Sequence, residues 1–305
     1  MFDYSSEGFK ICEIDDFNED DVAVFVGQWF LFDQSKKADL LAHIKGSKPA
    51  MDLCKTPLLL TMLCILYEYN QTIPQNRSEL YQTCVDALFF RWDSFRYITR
   101  PSLTQGLTVS RKKMILAKIA RQTFDKDVYF FKKNALLDLL GDELARSNLG
   151  KIEPACLLEE LESHNGLFVE RAANVYSFSH LTFHEFFTAL AYREENAEQK
   201  LLERVLSQQR YQEVFLMCLE KMYSADRVCI GLAAYIKNRF IDTGEPSEYF
   251  LQLVAGVLLA DVSLDPKTRS LLTAVRGDLF ASDILGVTDD EGLEGEPDEL
   301  DFNRD

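Results

Sequence analysis

Residues 176–190, YSFSHLTFHEFFTAL, decide how this chain is read. The run packs aromatic and apolar residues around His180 and His184, with Glu185 directly after the second. Just upstream, LFVER (167–171) and VYSFS (175–179) are β-rich, and they flank Ala172, Ala173 and Asn174. That trio suits a hairpin turn, because asparagine tolerates positive φ. From Leu181 the apolar spacing becomes helical. A hairpin therefore feeds straight into a helix.

Working back from the hairpin, three amphipathic helices precede it: RKKMILAKIARQTF (111–124), KNALLDLLGDELARS (133–147) and PACLLEELESHNG (154–166). A strand-like VYFF (128–131) separates the first two. Three helices and a hairpin wing describe a winged-helix unit over 108–192. Further upstream, Asn18 is the expected N-cap of a helix with acids in its first turn. Val22, Phe25, Val26, Trp29 and Phe30 follow at helical spacing. Helix is expected again over 38–44, broken at 46–49, and it restarts at Pro57, where the missing N–H costs nothing. Another helix starts at 78 with Ser78 as cap and Leu80, Tyr81, Val85, Leu88 and Phe89 on one face. Beyond 195 the pattern is helical through KLLERVLSQQRYQEVFLMCLEKMY (200–223) and three later runs to about 280. The fold class is mainly α: a helical domain, a winged-helix domain with a small β-hairpin, then a C-terminal helical region.

With 305 residues and 47% hydrophobic content the chain can bury a large core. Its richest apolar run, TPLLLTMLCILYEY, falls short of the roughly 18–20 residues of a membrane span. No basic leader or apolar export core opens the chain, so a cytoplasmic protein without a membrane partner is expected. The seven cysteines are an odd number with no CxxC pair, which favours buried thiols over disulfides. Net charge is −16, against general attraction to nucleic acid. Half of it lies in 289–305, DDEGLEGEPDELDFNRD, a run expected to be a solvated tail.

Chemistry is narrowed by absences of motif. There is no GxxxxGK[ST], no GxGxxG and no GxSxG. His180 and His184, at i and i+4, would share a helix face and could ligate zinc. A zincin helix, however, needs its glutamate after the first histidine, whereas Glu185 follows the second. His43 and His164 are distant in sequence, and nothing fixes Cys156 or Glu170 as further ligands. Ser177, Ser179 and Thr182 lack an oxyanion-hole pattern. The helix before the wing carries Glu159, Glu160 and Glu162 and no basic residue, which would repel a phosphate-lined groove. No catalytic residue, no metal site and no nucleic-acid partner are expected.

The order of these parts resembles the half of a NACHT-type STAND NTPase that follows its nucleotide-binding core. LCKTPLLLTMLCILYEY (53–69) looks like the first helical domain of that family. GLFVERAANVYSFSHLTFHEFFTALAY (166–192) looks like its winged-helix domain, in which a strand ending F-S-H runs into an L-T-F-x-E helix. The likeness covers roughly 9–192 and is most specific at FSHLTFHEFF. It implies that His180 contacts the β-phosphate of bound ADP and that Pro57 packs beside the adenine. His184 stands where the family more often has glutamine and takes no ligand role; Glu185 caps or pairs locally. Phe178, Phe183, Phe186 and Phe187 belong to the core.

The resemblance also implies a division of the chain: 1–14 as a remnant of the NTPase sheet edge, 15–107 helical domain, 108–192 winged helix, 193–285 C-terminal helical region and 286–305 acidic disordered tail. By that resemblance the core motifs of the family would be expected upstream of residue 1. ADP or ATP would thus be bound only together with a P-loop NTPase half, upstream in the same gene or in a separate chain, and this chain alone would bind neither and hydrolyse nothing. Nucleotide exchange would release the His180 contact and permit self-association in signalling or antiviral defence. The competing expectation is a helical protein–protein interaction scaffold without a nucleotide role. Trp29, Phe30 and Phe32 separate the two: left facing water they mark a partner surface, and buried they belong to a self-sufficient core.

Overall fold

A computed structural model describes residues 16–47, 50–51, 54–55, 57–70, 72–74, 76–90, 103–148, 151–243 and 248–286. The extended stretch expected at 8–14 and most of the acidic tail lie outside these residues, as does Cys12. The chain divides into two compact units, Met1–Glu195 and Asn196–Asp305.

The first unit begins with α1 (Glu19–Trp29). Asn18 caps it through a reciprocal box: its side chain accepts from the Asp20 and Asp21 amides, and Asp21 accepts from the Asn18 amide. Three acids in the first turn add favourable charge at the positive helix end. A second cap that the sequence reading did not separate, Asp33, accepts the Lys36 amide and starts α2 (Gln34–Gly46). Helix α3 (Pro57–Asn70) begins at the proline, as expected. For α4 (Arg77–Phe90) the expected cap is corrected. Asn76, not Ser78, accepts the Glu79 amide at 3.0 Å, because the helix starts one residue before Ser78, which is buried within it.

The winged helix follows. Helix α5 (Val109–Phe124) is capped by Thr108 and buries Ile115, Leu116, Ile119, Ala120 and Phe124. Strand β1 is Phe131–Lys132, three residues later than the VYFF stretch begins, because Tyr129 and Phe130 precede the paired positions. Helix α6 (Lys133–Arg146) and the short α7 (Pro154–Glu159), prolonged by a π turn over Glu160–His164, come next. The hairpin strands are β2 (Phe168–Ala172) and β3 (Val175–Phe178), with Asn174 at φ 59° in the turn. The antiparallel sheet has the order β1-β3-β2.

Helix α8 (Leu181–Glu194) leaves the hairpin and packs along α5. Phe183, Phe186 and Phe187 are wholly buried, each worth about 1.5–3 kcal/mol of apolar burial. Phe178 joins them, so all four phenylalanines lie in the core as expected. Helix α4 belongs to this packing too: the Tyr81 ring meets Phe186, and Asn165 donates to the Leu88 carbonyl at 3.2 Å. The end of α8 is fastened by Tyr192, whose hydroxyl donates to Asp125 at 2.7 Å while the Arg121 guanidinium lies over its ring.

One of the three glutamates before the wing does not face outward as expected. Glu160 is buried, ion-paired with Lys112 and accepting from the Thr104 amide and hydroxyl. A buried lysine draws the carboxylate inward, since neither charge is tolerable there alone. Among the three expected partner-surface residues, Phe30 is 5% exposed, whereas Trp29 is 38% and Phe32 98% exposed.

The second unit contains α9 (Glu198–Ser207), α10 (Gln212–Glu220), α11 (Asp226–Thr243), α12 (Glu248–Leu259) and α13 (Pro266–Gly286). The run 200–223 is split rather than continuous. Gln208 is extended and a 3₁₀ turn (Gln209–Tyr211) follows, which carries Tyr211 fully into the core. Among the described residues no helix is long and apolar enough to cross a membrane.

Candidate functional site

Two histidines four apart do not share a helix face here, because one of them precedes the helix. His180 has extended φ −141° and ψ 143° and is the N-cap of α8. The strand β3 ends at Phe178, and the Ser179 amide donates to the Leu167 carbonyl at 2.9 Å, which anchors the approach. His180 Nδ1 accepts from the Thr182 amide at 3.3 Å and lies 2.7 Å from the Thr182 hydroxyl. An amide can only donate, so the ring proton of neutral His180 resides on Nε2. His180 is half-buried, and Nε2–H is its uncommitted donor.

Burial pushes the His180 pKa below its ordinary 6.5; the Asp16 carboxylate raises it and the Arg171 guanidinium lowers it. The neutral imidazole, a single N–H donor, is thus the form at neutral pH. Both charged neighbours escaped the sequence reading. Asp16 lies 164 positions away in the chain, beyond the reach of any local pattern. Arg171 carried a subtler signal, a charged residue interrupting the alternation at the end of a strand.

Arg171 is the extra residue of a β-bulge. Glu170 pairs with Tyr176 and Ala172 with Val175, leaving Arg171 without an opposite number. Bulges re-aim side chains. Here the guanidinium turns along the hairpin, Nε donating to Ser177 Oγ at 3.0 Å and Nη2 to the Ser179 carbonyl at 2.9 Å.

Pro57 is exposed at the first position of α3, and its carbonyl accepts from the Thr61 hydroxyl at 2.7 Å. Two residues before it, the Lys55 carbonyl accepts the Phe17 amide at 2.9 Å. Asp16, adjoining Phe17, is the residue whose charge acts on His180. The short segment Asp16–Phe17 is thus bonded near the start of α3 and carries a charge felt by His180, although 123 positions separate Pro57 from His180 in the chain.

His184 lies in the core. It is 1% exposed, its Nε2–H donates to the Ala120 carbonyl at 3.0 Å, and it lies 2.9 Å from Thr123 Oγ1. Glu185 is buried beside it in the sequence. Among the described residues no group of three histidine, cysteine, aspartate or glutamate side chains could hold a metal ion.

Residues 77–192 match the family model of the winged helix-turn-helix domain C-terminal to NACHT. The matched span includes α4, in keeping with its packing on α8, and ends three residues before the boundary of the first compact unit. No curated protein matches the chain. The capped hairpin-to-helix junction thus lies within a segment, residues 77–192, that is similar to the winged-helix domain found C-terminal to NACHT.

Proposed function

We propose that this chain is the regulatory portion of a NACHT-type nucleotide switch, responding to whether ADP or ATP occupies a P-loop NTPase core that acts with it. The observation that carries this reading is the single uncommitted donor of His180. With Nδ1 committed to Thr182, Nε2–H is left to donate to a phosphate oxygen. The exposed ring of Pro57 would lie against the base. A hydrogen bond to a charged group is worth about 1.5–3 kcal/mol, which shifts a closed–open equilibrium by roughly 10- to 150-fold. Such a contact can be released on exchange, freeing the chain for self-association in signalling or defence. Trp29, Leu31 and Phe32, exposed around the end of α1, supply apolar surface for the NTPase core to cover.

Purification of the protein from its native cells, with mass spectrometry of its companions and assay of retained nucleotide, tests this. The expected result is a stoichiometric P-loop polypeptide, separate or continuous with this chain, whose retained ADP falls in His180→Ala. Absence of any P-loop polypeptide under every nucleotide condition would leave the interaction scaffold as the reading.

A further inference from the structure

The junction that holds His180 contains a second donor of different origin. Arg171 is placed by the bulge in β2, and two of its three guanidinium nitrogens are spent on Ser177 Oγ and on the carbonyl of Ser179. Its Nη1 has no hydrogen-bond partner among the described residues, and the side chain is exposed. Because Nη2 is bound to the carbonyl of the residue directly before His180, the guanidinium is tethered at the hairpin-to-helix junction rather than free to sweep solvent. Ser179, which links the two, has a buried hydroxyl oxygen with no partner. A planar fork held by two hydrogen bonds loses little entropy on meeting an oxyanion, unlike an unrestrained lysine.

We infer that Arg171 is a second anion contact, pairing its free Nη1–H with His180 Nε2–H to receive phosphate oxygens at the hairpin-to-helix junction. The ligand class is a phosphate or diphosphate oxyanion. The inference deepens the switch reading and rests on it for the source of that phosphate, the nucleotide held by the NTPase core. It also accounts for a cation at the bulge, where a polar uncharged residue would satisfy Ser177 equally well. The charges facing His180 are then Arg171 on the wing and Asp16 ahead of α1, so the incoming anion is drawn by the first and opposed by the second.

Titration of the full chain with inorganic pyrophosphate, following the His180 imidazole by nitrogen NMR and assigning it with His180→Gln, tests the pairing. Wild-type protein is expected to show a saturable shift of His180. Loss of a charge-assisted contact weakens binding about tenfold or more in Arg171→Gln, while Arg171→Lys, which keeps the charge, recovers most of it. If Arg171→Gln binds as well as wild type while His180 still shifts, Arg171 is no contact and His180 stands alone. Equal loss in both variants would reduce Arg171 to holding the Ser179 carbonyl, which also overturns the inference. A His180 resonance that pyrophosphate never moves overturns it too; retention of ADP by the NTPase-bound protein then decides the His180 reading separately.

Discussion

The ring of His184 lies 4.6 Å from that of Phe178, at an interplanar angle of 21°, four residues after the histidine that caps its helix. Around it stand Phe124, Tyr129 and Phe131, all meeting the His184 ring edge-on. The neighbours of the two histidines assign them different duties: His184 joins α8 to α5, whereas His180 caps the helix.

That division predicts unequal losses of stability. His184→Ala removes a buried ring and its bond to the Ala120 carbonyl, and should cost about 3 kcal/mol or more. His180→Ala removes one cap and should cost about 1 kcal/mol. Urea denaturation followed by circular dichroism checks both; equal costs would contradict the assignment.

Acid should weaken the fold through His180. Its folded pKa is lowered from 6.5, mainly by burial, so the unfolded chain binds more protons between the two values. The stability it contributes is therefore present above the unfolded pKa and lost as pH falls through 6.5 toward the folded value. Compared at about pH 7.5 and about pH 5, wild type should lose more stability than His180→Gln. Parallel losses in the two proteins would exclude His180 as the titrating group.

The Lys112–Glu160 pair joins α5 to the π turn, with both side chains almost wholly buried. Either Lys112→Met or Glu160→Leu strands a buried charge and should cost about 3–5 kcal/mol, whereas the double variant should recover part of that loss, the Thr104 donors to Glu160 staying unpaired. A double-mutant cycle on the midpoints reads the coupling directly. Additive losses would show that the pair does not act as a unit.

Thiol alkylation should be selective. Burial pushes Cys54, Cys64, Cys84 and Cys229 up to about 12, and Cys218 is fully buried. Cys156 is partly exposed. Since the thiolate is the nucleophile, brief iodoacetamide treatment read by peptide mass spectrometry should modify Cys156 and spare these five. Rapid labelling of Cys64 or Cys84 in folded protein would contradict the packing of α3 and α4.

Local chemistry in the sequence is enough to place the elements wherever short-range forces decide them. Asn18 is readable as a cap, Pro57 as a first helical residue, Asn174 as a turn residue and Leu181 as a helix start, because each depends on neighbours within one turn of chain. The same logic fails by a residue or two where competing caps lie together, as with Asn76 and Ser78. It fails altogether at Gln208, where the demand of Tyr211 for a buried position breaks an otherwise continuous helical pattern.

What the sequence by itself determined is the succession of helices, the hairpin and the histidine that closes it, since periodicity and capping are written along the chain. Which way each side chain faces was decided only by tertiary structure. Glu160 turned inward to Lys112, His184 turned to Phe178, and Arg171 was aimed at Ser179 by a bulge that exists only once two strands pair. Asp16 came to act on His180 from the far end of the unit. Desolvation and charge act through space, so the protonation and pairing of these groups depend on neighbours that the chain supplies only after it has folded.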